Sequence, residues 1–192
     1  MDTERGSATD RRSRRTRRLV TAAMTELLVE TPYDRITVQA ILDRADIGRA
    51  TFYHHFRDKL DVVDAVAADM FEGIPASRSG AGDLPLVELF RHAAERHTSL
   101  RAMLDAPGAE VFWRESHEAL SGVIERLRGG SSGEQRPAAS PAVAAQFVAG
   151  GLISVLRWWL RAGMPYPPEQ MAALIEALTP ELVHPTARRQ AR

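Results

Sequence analysis

Between residues 37 and 59 the chain reads TVQAILDRADIGRATFYHHFRDK, and side chains able to bond a polar polymer crowd its second half. Phe52 and Phe56, four residues apart, mark the inner side of a short helix over 49–56, because each helical residue turns the chain by about 100°. Ala50, Thr51 and His54 then face the opposite way, with Tyr53 and His55 on the flanks and Arg49 at the start. A methyl, a hydroxyl and an imidazole on one rigid face can touch or bond base edges in a DNA major groove. Thr37, Tyr53, His55 and Lys59 carry further hydroxyl, imidazole and ammonium donors in the same stretch.

The residues that could do other chemistry are poorly placed for it. His92 and His97 are five apart and so do not share a helix face, and neither they nor His117, Glu95 and Glu118 form a metal-ligating pattern such as HExxH. The GSSG run near Gly130 lacks the lysine and the preceding strand of a phosphate-binding loop. There is no cysteine, which excludes disulfides and thiol catalysis. No catalytic residue, no metal and no cofactor is expected.

Three elements must position the 49–56 helix. Thr37 is placed to cap a helix whose apolar residues Val38, Ile41, Leu42 and Ala45 recur at three-to-four spacing. Asp46 suits the left-handed backbone of a tight turn, Ile47 returns to the core, and Gly48 precedes the second helix. Before them, a helix over 19–30 carries Leu19, Ala23 and Leu27 beside Val20, Met24 and Leu28, a stripe fit to cover the pair. After them, Asp58 can cap a helix over 59–71 with Leu60, Val63 and either Val66 or Ala67 turned inward. On pattern alone, a helical hairpin inside an all-α core also fits.

The residue types decide further. Over 36–63, and notably at Thr37, Ile41, Ala45, Ile47, Thr51, Tyr53, His55, Phe56 and Lys59, the chain resembles the DNA-binding domain of the TetR family of bacterial transcriptional repressors. Two positions depart from that pattern: Asp46 stands for the usual turn glycine and Gly48 for the usual Ser or Thr cap. Arg11 to Arg18, RRSRRTRR, adds a cationic block whose natural counterion is phosphate, and Arg17 and Arg18 lie next to the module. Lys59 is the only lysine among 25 basic residues and stands where the family has its phosphate-contacting lysine, a sign of a site-specific demand for a compact charge; the resemblance implies that Thr37, Tyr53, His55 and Lys59 hold phosphates.

A chain of 192 residues with 44% hydrophobic content has room for one large or two small domains. Its zero net charge hides an asymmetry: through Leu60 there are 12 basic and 9 acidic residues, and the remainder is acidic by the same margin. That suits a DNA-binding module joined to something else. Residues 1–10 have no apolar run of the signal-peptide kind and are expected to be a disordered start, with a cytoplasmic location. The boundary falls in the small-residue stretch 73–83, giving a DNA-binding domain at 11–72, a helical domain at 84–184 and a tail at 185–192.

The helical domain is expected to hold helices over 84–104, kinked or divided near Thr98-Ser99, over 109–128, over 141–160 and over 168–182, with a loop at 129–140. PAVAAQFVAGGLISVLRWWL, at 141–160, is apolar nearly all round, yet its uncharged part is shorter than the roughly 20 residues a bilayer requires, so no membrane partner is expected. A second subunit could cover it, since Ala149, Gly150 and Gly151 allow a crossing helix to approach. The run 150–171, with Trp158-Trp159, Gly163-Met164 and Pro168 to Met171, resembles the C-terminal region of one TetR subgroup.

The resemblance implies an all-α fold, an N-terminal three-helix DNA-binding domain with a helix-turn-helix and a C-terminal dimerisation and ligand-binding domain. It implies a homodimer on a palindromic operator, with Phe147, Gly150, Gly151, Ile153, Ser154, Trp158, Met171, Leu174, Ile175 and Leu178 at the subunit interface. A small-molecule effector would lie among Met103, Phe112, Trp113, His117 and Trp158, residues that serve equally well as plain core. A co-regulator that keeps the dimer and has reduced DNA binding, motivated by Asp46 and Gly48, is the alternative.

Overall fold

The computed structural model describes residues 2–71, 84–129 and 140–178, all of it helix and connecting turns. The described residues form two units, one of residues up to Asp69 together with Asp105–Glu115, the other of the rest.

In the first unit α1 (Asp2–Glu30) packs against α2 (Val38–Ala45), α3 (Arg49–His55) and α4 (Lys59–Asp69), after a 3-10 turn at Tyr33–Arg35. The core is Val20, Met24, Leu28, Ile41, Phe52, Phe56, Val62 and Val63, each nearly or fully buried. Leu19 and Leu60, expected inside, are exposed; each sits at the edge of its apolar stripe, and the neighbours Val20 and Val62 take the inward positions. Residues 1–10 were expected as a disordered start, but α1 begins at Asp2. With the helix starting so early, the arginine block lies well inside it, beyond the reach of the unfavourable N-terminal dipole, which fades within the first turn.

Asp105–Glu115 is the unexpected member of this unit. The Gly108 amide donates to the Leu28 carbonyl at 2.9 Å, satisfying one of the free carbonyls at the end of α1, and α7 (Ala109–Gly129) starts from there. Val111, Phe112 and Trp113 are buried, the last two edge to face at 4.9 Å. Only residues 116–129 of α7 belong to the second unit.

In the second unit the expected helix over 84–104 is divided at Arg96 into α5 (Leu86–Glu95) and α6 (His97–Ala102). The expected cap Asp83 and most of the 129–140 loop lie outside the described residues, as do residues 179–192. α5 packs on α9 (Pro168–Leu178) and α6 on α8 (Pro141–Arg161). Trp159 is the keystone of this packing. It is fully buried, meets Phe90 edge to face at 5.3 Å, and donates from Nε1 to the Tyr166 carbonyl at 2.8 Å. α8 ends on two consecutive left-handed residues, Gly163 (φ 78°) and Met164 (φ 58°), and the Met164 amide closes back on the Trp159 carbonyl at 2.8 Å.

Candidate nucleic-acid interface

Local rules place the exposed face of α3 (Arg49–His55). The Thr37 hydroxyl accepts from the Ala40 amide at 3.1 Å and caps α2, which leaves its own hydrogen able to donate. Asp46 takes the left-handed backbone itself (φ 51°, ψ 51°), and the Ile47 amide reaches the Leu42 carbonyl at 3.2 Å. Gly48 opens α3 with no side-chain cap, and a Cβ there would meet nothing within 4 Å. The turn glycine and cap that the sequence lacks are therefore replaced without distorting the geometry.

Phe52 anchors α3, with Tyr53 edge to face against it at 5.3 Å and Phe56 at 5.7 Å. Arg49, Ala50, Thr51, Tyr53 and His54 are exposed together, and His55 is half-buried. Arg49 donates to Gln39 Oε1 at 3.2 Å, and Gln39 in turn donates to Asp43 at 2.8 Å. Gln39 thus aims Arg49 from the neighbouring helix, a role visible in the sequence only as a Gln-Asp pair at i, i+4. Burial pushes the His55 imidazole below its usual pKa, with His54 and Arg17 adding to the effect, so at neutral pH it is a neutral hydrogen-bonding group. Arg17 lies over the Phe56 ring at 5.0 Å, which fixes its stem beside α3, while Arg18 is exposed on α1.

Lys59 has a different setting from the one expected of a free phosphate contact. Its ammonium donates to the carbonyls of Tyr33 at 2.9 Å and Ile36 at 3.0 Å, and lies 4.2 Å from the centre of the Tyr33 ring. A compact ammonium fits two carbonyls and a ring where a planar guanidinium does not, which accounts for the chain's single lysine. Lys59→Ala is expected to cost about 2 kcal/mol of stability, two charge-assisted bonds being lost, and to lower DNA affinity equally for all sequences. Urea unfolding and binding at several salt concentrations would measure the two effects; an unchanged unfolding midpoint would refute the structural role.

Asp64 on α4 meets Glu115 on α7. Burial, then the charge and hydrogen bond of Glu115, then Asp61 and Asp58, push the Asp64 carboxyl up to about 6. Arg114 pairs with the other partner, 2.7 Å from Glu115. Because the folded-state value lies above the ordinary 3.8, the pair's contribution is full below pH 3.8 and is lost as pH rises through about 6. At pH 7.5, Asp64→Asn is expected to stabilise the first unit by about 1 kcal/mol, a figure reduced for solvent screening of a partly exposed pair. By pH 4 the gain should vanish, so a pH-independent gain in urea unfolding would contradict the assignment.

Two family models cover the chain: "Bacterial regulatory proteins, tetR family" over residues 20–66, and "Transcriptional regulator C-terminal region", a TetR C-terminal model, over residues 85–181. The second spans half of the chain. The chain belongs to the TetR family. Its structure is similar to a TetR transcriptional regulator from Streptococcus agalactiae 2603V, at 25% identity and TM-score 0.56, over 90% of this chain and 98% of that one. It is also similar in fold to the dihydroxyacetone kinase operon activator DhaS, at 19% identity and TM-score 0.51, over 88% of this chain and 96% of that one. Comparison with curated proteins gives no match. The fold is that of a DNA-binding transcriptional regulator.

In this TetR-family chain, the residues expected at a ligand pocket separate. Met103, Phe112 and Trp113 are buried core, Phe112 and Trp113 in the first unit. His117 and Trp158 line an open groove in the second unit with other residues of α8. The expected interface residues divide too. Ile153, Met171 and Ile175 are buried within their own unit. Phe147 (65% exposed), Gly151, Ser154, Trp158 (51%), Leu174 and Leu178 (81%) are exposed, and Gly150 is half-buried. Val143 extends the α8 stripe and was missed. α8 is long and apolar enough to cross a membrane by length and composition, but half of its apolar window is buried within the protein.

Proposed function

We propose that this TetR-family regulator is a homodimeric, non-enzymatic repressor that binds a palindromic operator and is released by a small-molecule effector. The observation that carries the reading is the outward face of α3, where Ala50, Thr51, Tyr53 and His54 are exposed together above the buried Phe52. Ala50, Thr51 and His54 would read base edges. Thr37, Tyr53, His55 and Lys59 would hold phosphates, with Arg17, Arg18 and Arg49 adding charge. The exposed apolar stripe on α8 supports a second copy, and two-fold symmetry then requires a two-fold operator. The ordered turn at Asp46 and the strain-free Gly48 weaken the case for a co-regulator with reduced DNA binding.

The test is fluorescence anisotropy on DNA from upstream of the chain's own gene and on operators selected from random sequence, against scrambled DNA at two salt concentrations. Specific binding about 10³-fold above background is expected, falling steeply with salt. His54→Ala should relax base preference at one position per half-site, a loss of about 1–3 kcal/mol of discrimination. Equal, weak binding to every sequence would sink the regulator reading, and an unaltered selection profile for His54→Ala would remove it from base readout.

A further inference from the structure

Six of the eight residues from Arg11 to Arg18 are arginine, and all six are exposed. No side chain from residue 11 to residue 19 is buried, whereas Val20 is fully buried, so this part of α1 runs past the core. From Arg11 to Thr25 the sequence has no acidic residue, and the next two, Glu26 and Glu30, are both held by Arg44, at 3.1 and 2.7 Å. Helical spacing gathers Arg11, Arg12 and Arg15 within an arc of about 100°. Arg15 lies one turn from each of the other two, and like charges at that spacing work against the helix. The stretch joins the α3 surface at Arg17, whose guanidinium lies 5.0 Å from the centre of the Phe56 ring at the end of α3. Arg15, Arg12 and Arg11 follow upstream, about 3–9 Å farther along the axis at helical rise.

Charge this dense on an exposed face calls for a polyanion. A nucleic-acid duplex offers one along a rigid line, with a phosphate charge per about 1.7 Å of axis. Width decides how α1 can meet it. The major groove of the half-site is the place of α3 in the proposed function. An α-helix with its side chains is about 10–12 Å across and the minor groove about 6 Å wide, so a helical 11–18 stays on the backbone and reads no base. Guanidinium groups suit that backbone, since they bind phosphate through two parallel N–H bonds.

We propose that Arg11, Arg12 and Arg15 lay α1 on DNA phosphates beyond those reached from α2, α3 and Lys59. This deepens the proposed function and rests on it for the operator; the contact itself is blind to sequence. It lengthens the phosphate footprint of each half-site and adds affinity without adding base preference.

The full-length variant R11Q/R12Q/R15Q removes three charges and keeps good helix formers at exposed positions, so helical circular dichroism and the unfolding midpoint should match the wild type. Anisotropy over a salt series, on the selected operator and on a scrambled duplex, should show log K against log salt flattened by roughly 2–3 units on both. That is about 0.9 per phosphate, with affinity at about 0.1 M salt some 30-fold weaker or more. Ethylation of phosphates should block the wild type at positions where it leaves the variant indifferent, and selection from random DNA should return the same operator. Unchanged slopes, an unchanged ethylation pattern or an altered operator would overturn the inference. If the variant keeps its slopes but loses binding to phosphatidylglycerol vesicles, the stripe belongs to an anionic lipid surface and the inference falls. The scrambled duplex keeps the two readings apart. A chain with no specific operator whose variant still shows the flattened slope sinks the regulator reading alone; an intact operator with unchanged slopes sinks this one alone.

Discussion

Replacing Gly108 with alanine is expected to destabilise the first unit by about 2–3 kcal/mol, the upper part of the range for forcing an extra methyl into a packed site. The added Cβ would lie 2.6 Å from Leu28 Cδ2, 2.8 Å from the Leu28 carbonyl oxygen and 2.9 Å from Leu28 Cα. The first neighbour could rotate aside; the other two are backbone of α1 and cannot. Relief therefore requires 105–115 to move off α1, lengthening the 2.9 Å Gly108 to Leu28 bond and uncovering Phe112 and Trp113. Gly122→Ala, on the same α7, is the matched control. Its Cβ would meet only the mobile end of Arg126 at 3.3 Å, and removing a glycine from a helix interior should add up to about 1 kcal/mol. Urea unfolding of both variants checks the pair. A Gly108→Ala protein as stable as the wild type would mean that 105–115 is not packed on α1 as described.

That contact also shows where the sequence stops being legible. Thr37, Asp46, Phe52 and Asp58 act through neighbours within a few residues, so their roles as cap, turn, anchor and cap follow from local spacing. Asp58 indeed accepts from the Leu60 and Asp61 amides at 2.8 and 2.9 Å. Pro107-Gly108 reads locally as a plain helix break; only the folded chain brings Leu28 against it. Lys59 was marked by its rarity, yet its carbonyl partners are 23 and 26 residues upstream and leave no trace in the pattern around it. The α8 sequence fails differently. With apolar residues on almost every side, periodicity has no contrast to work with, and Ile153 could not be told from Phe147 although one is core and the other is surface. The exposure of Ala50, Thr51 and His54 was legible because it follows from two phenylalanines four apart.

Phe147→Glu is expected to abolish dimerisation at micromolar concentration and to lower operator affinity by 100-fold or more, while leaving the monomer's unfolding midpoint almost unchanged. Phe147 is 65% exposed in the single chain, so a carboxylate there keeps its hydration and the fold loses little. In a dimer seam along Val143, Phe147, Gly151 and Ser154 the same carboxylate would be buried without a partner, a cost of several kcal/mol that is paid once per subunit by symmetry. The operator loss follows from linkage: two modules held together bind two half-sites with an effective concentration that separate monomers lack, worth roughly 10²–10⁴ in affinity. Phe147 is the better probe than Trp158, which also walls the open groove beside His117, so a charge there would disturb more than the seam. Sedimentation velocity measures the dimer, anisotropy the operator and urea unfolding the fold. If Phe147→Glu stays dimeric and binds DNA as tightly as the wild type, the α8 stripe is not the seam. The exposed Leu174 and Leu178 of α9 then become the residues to charge next.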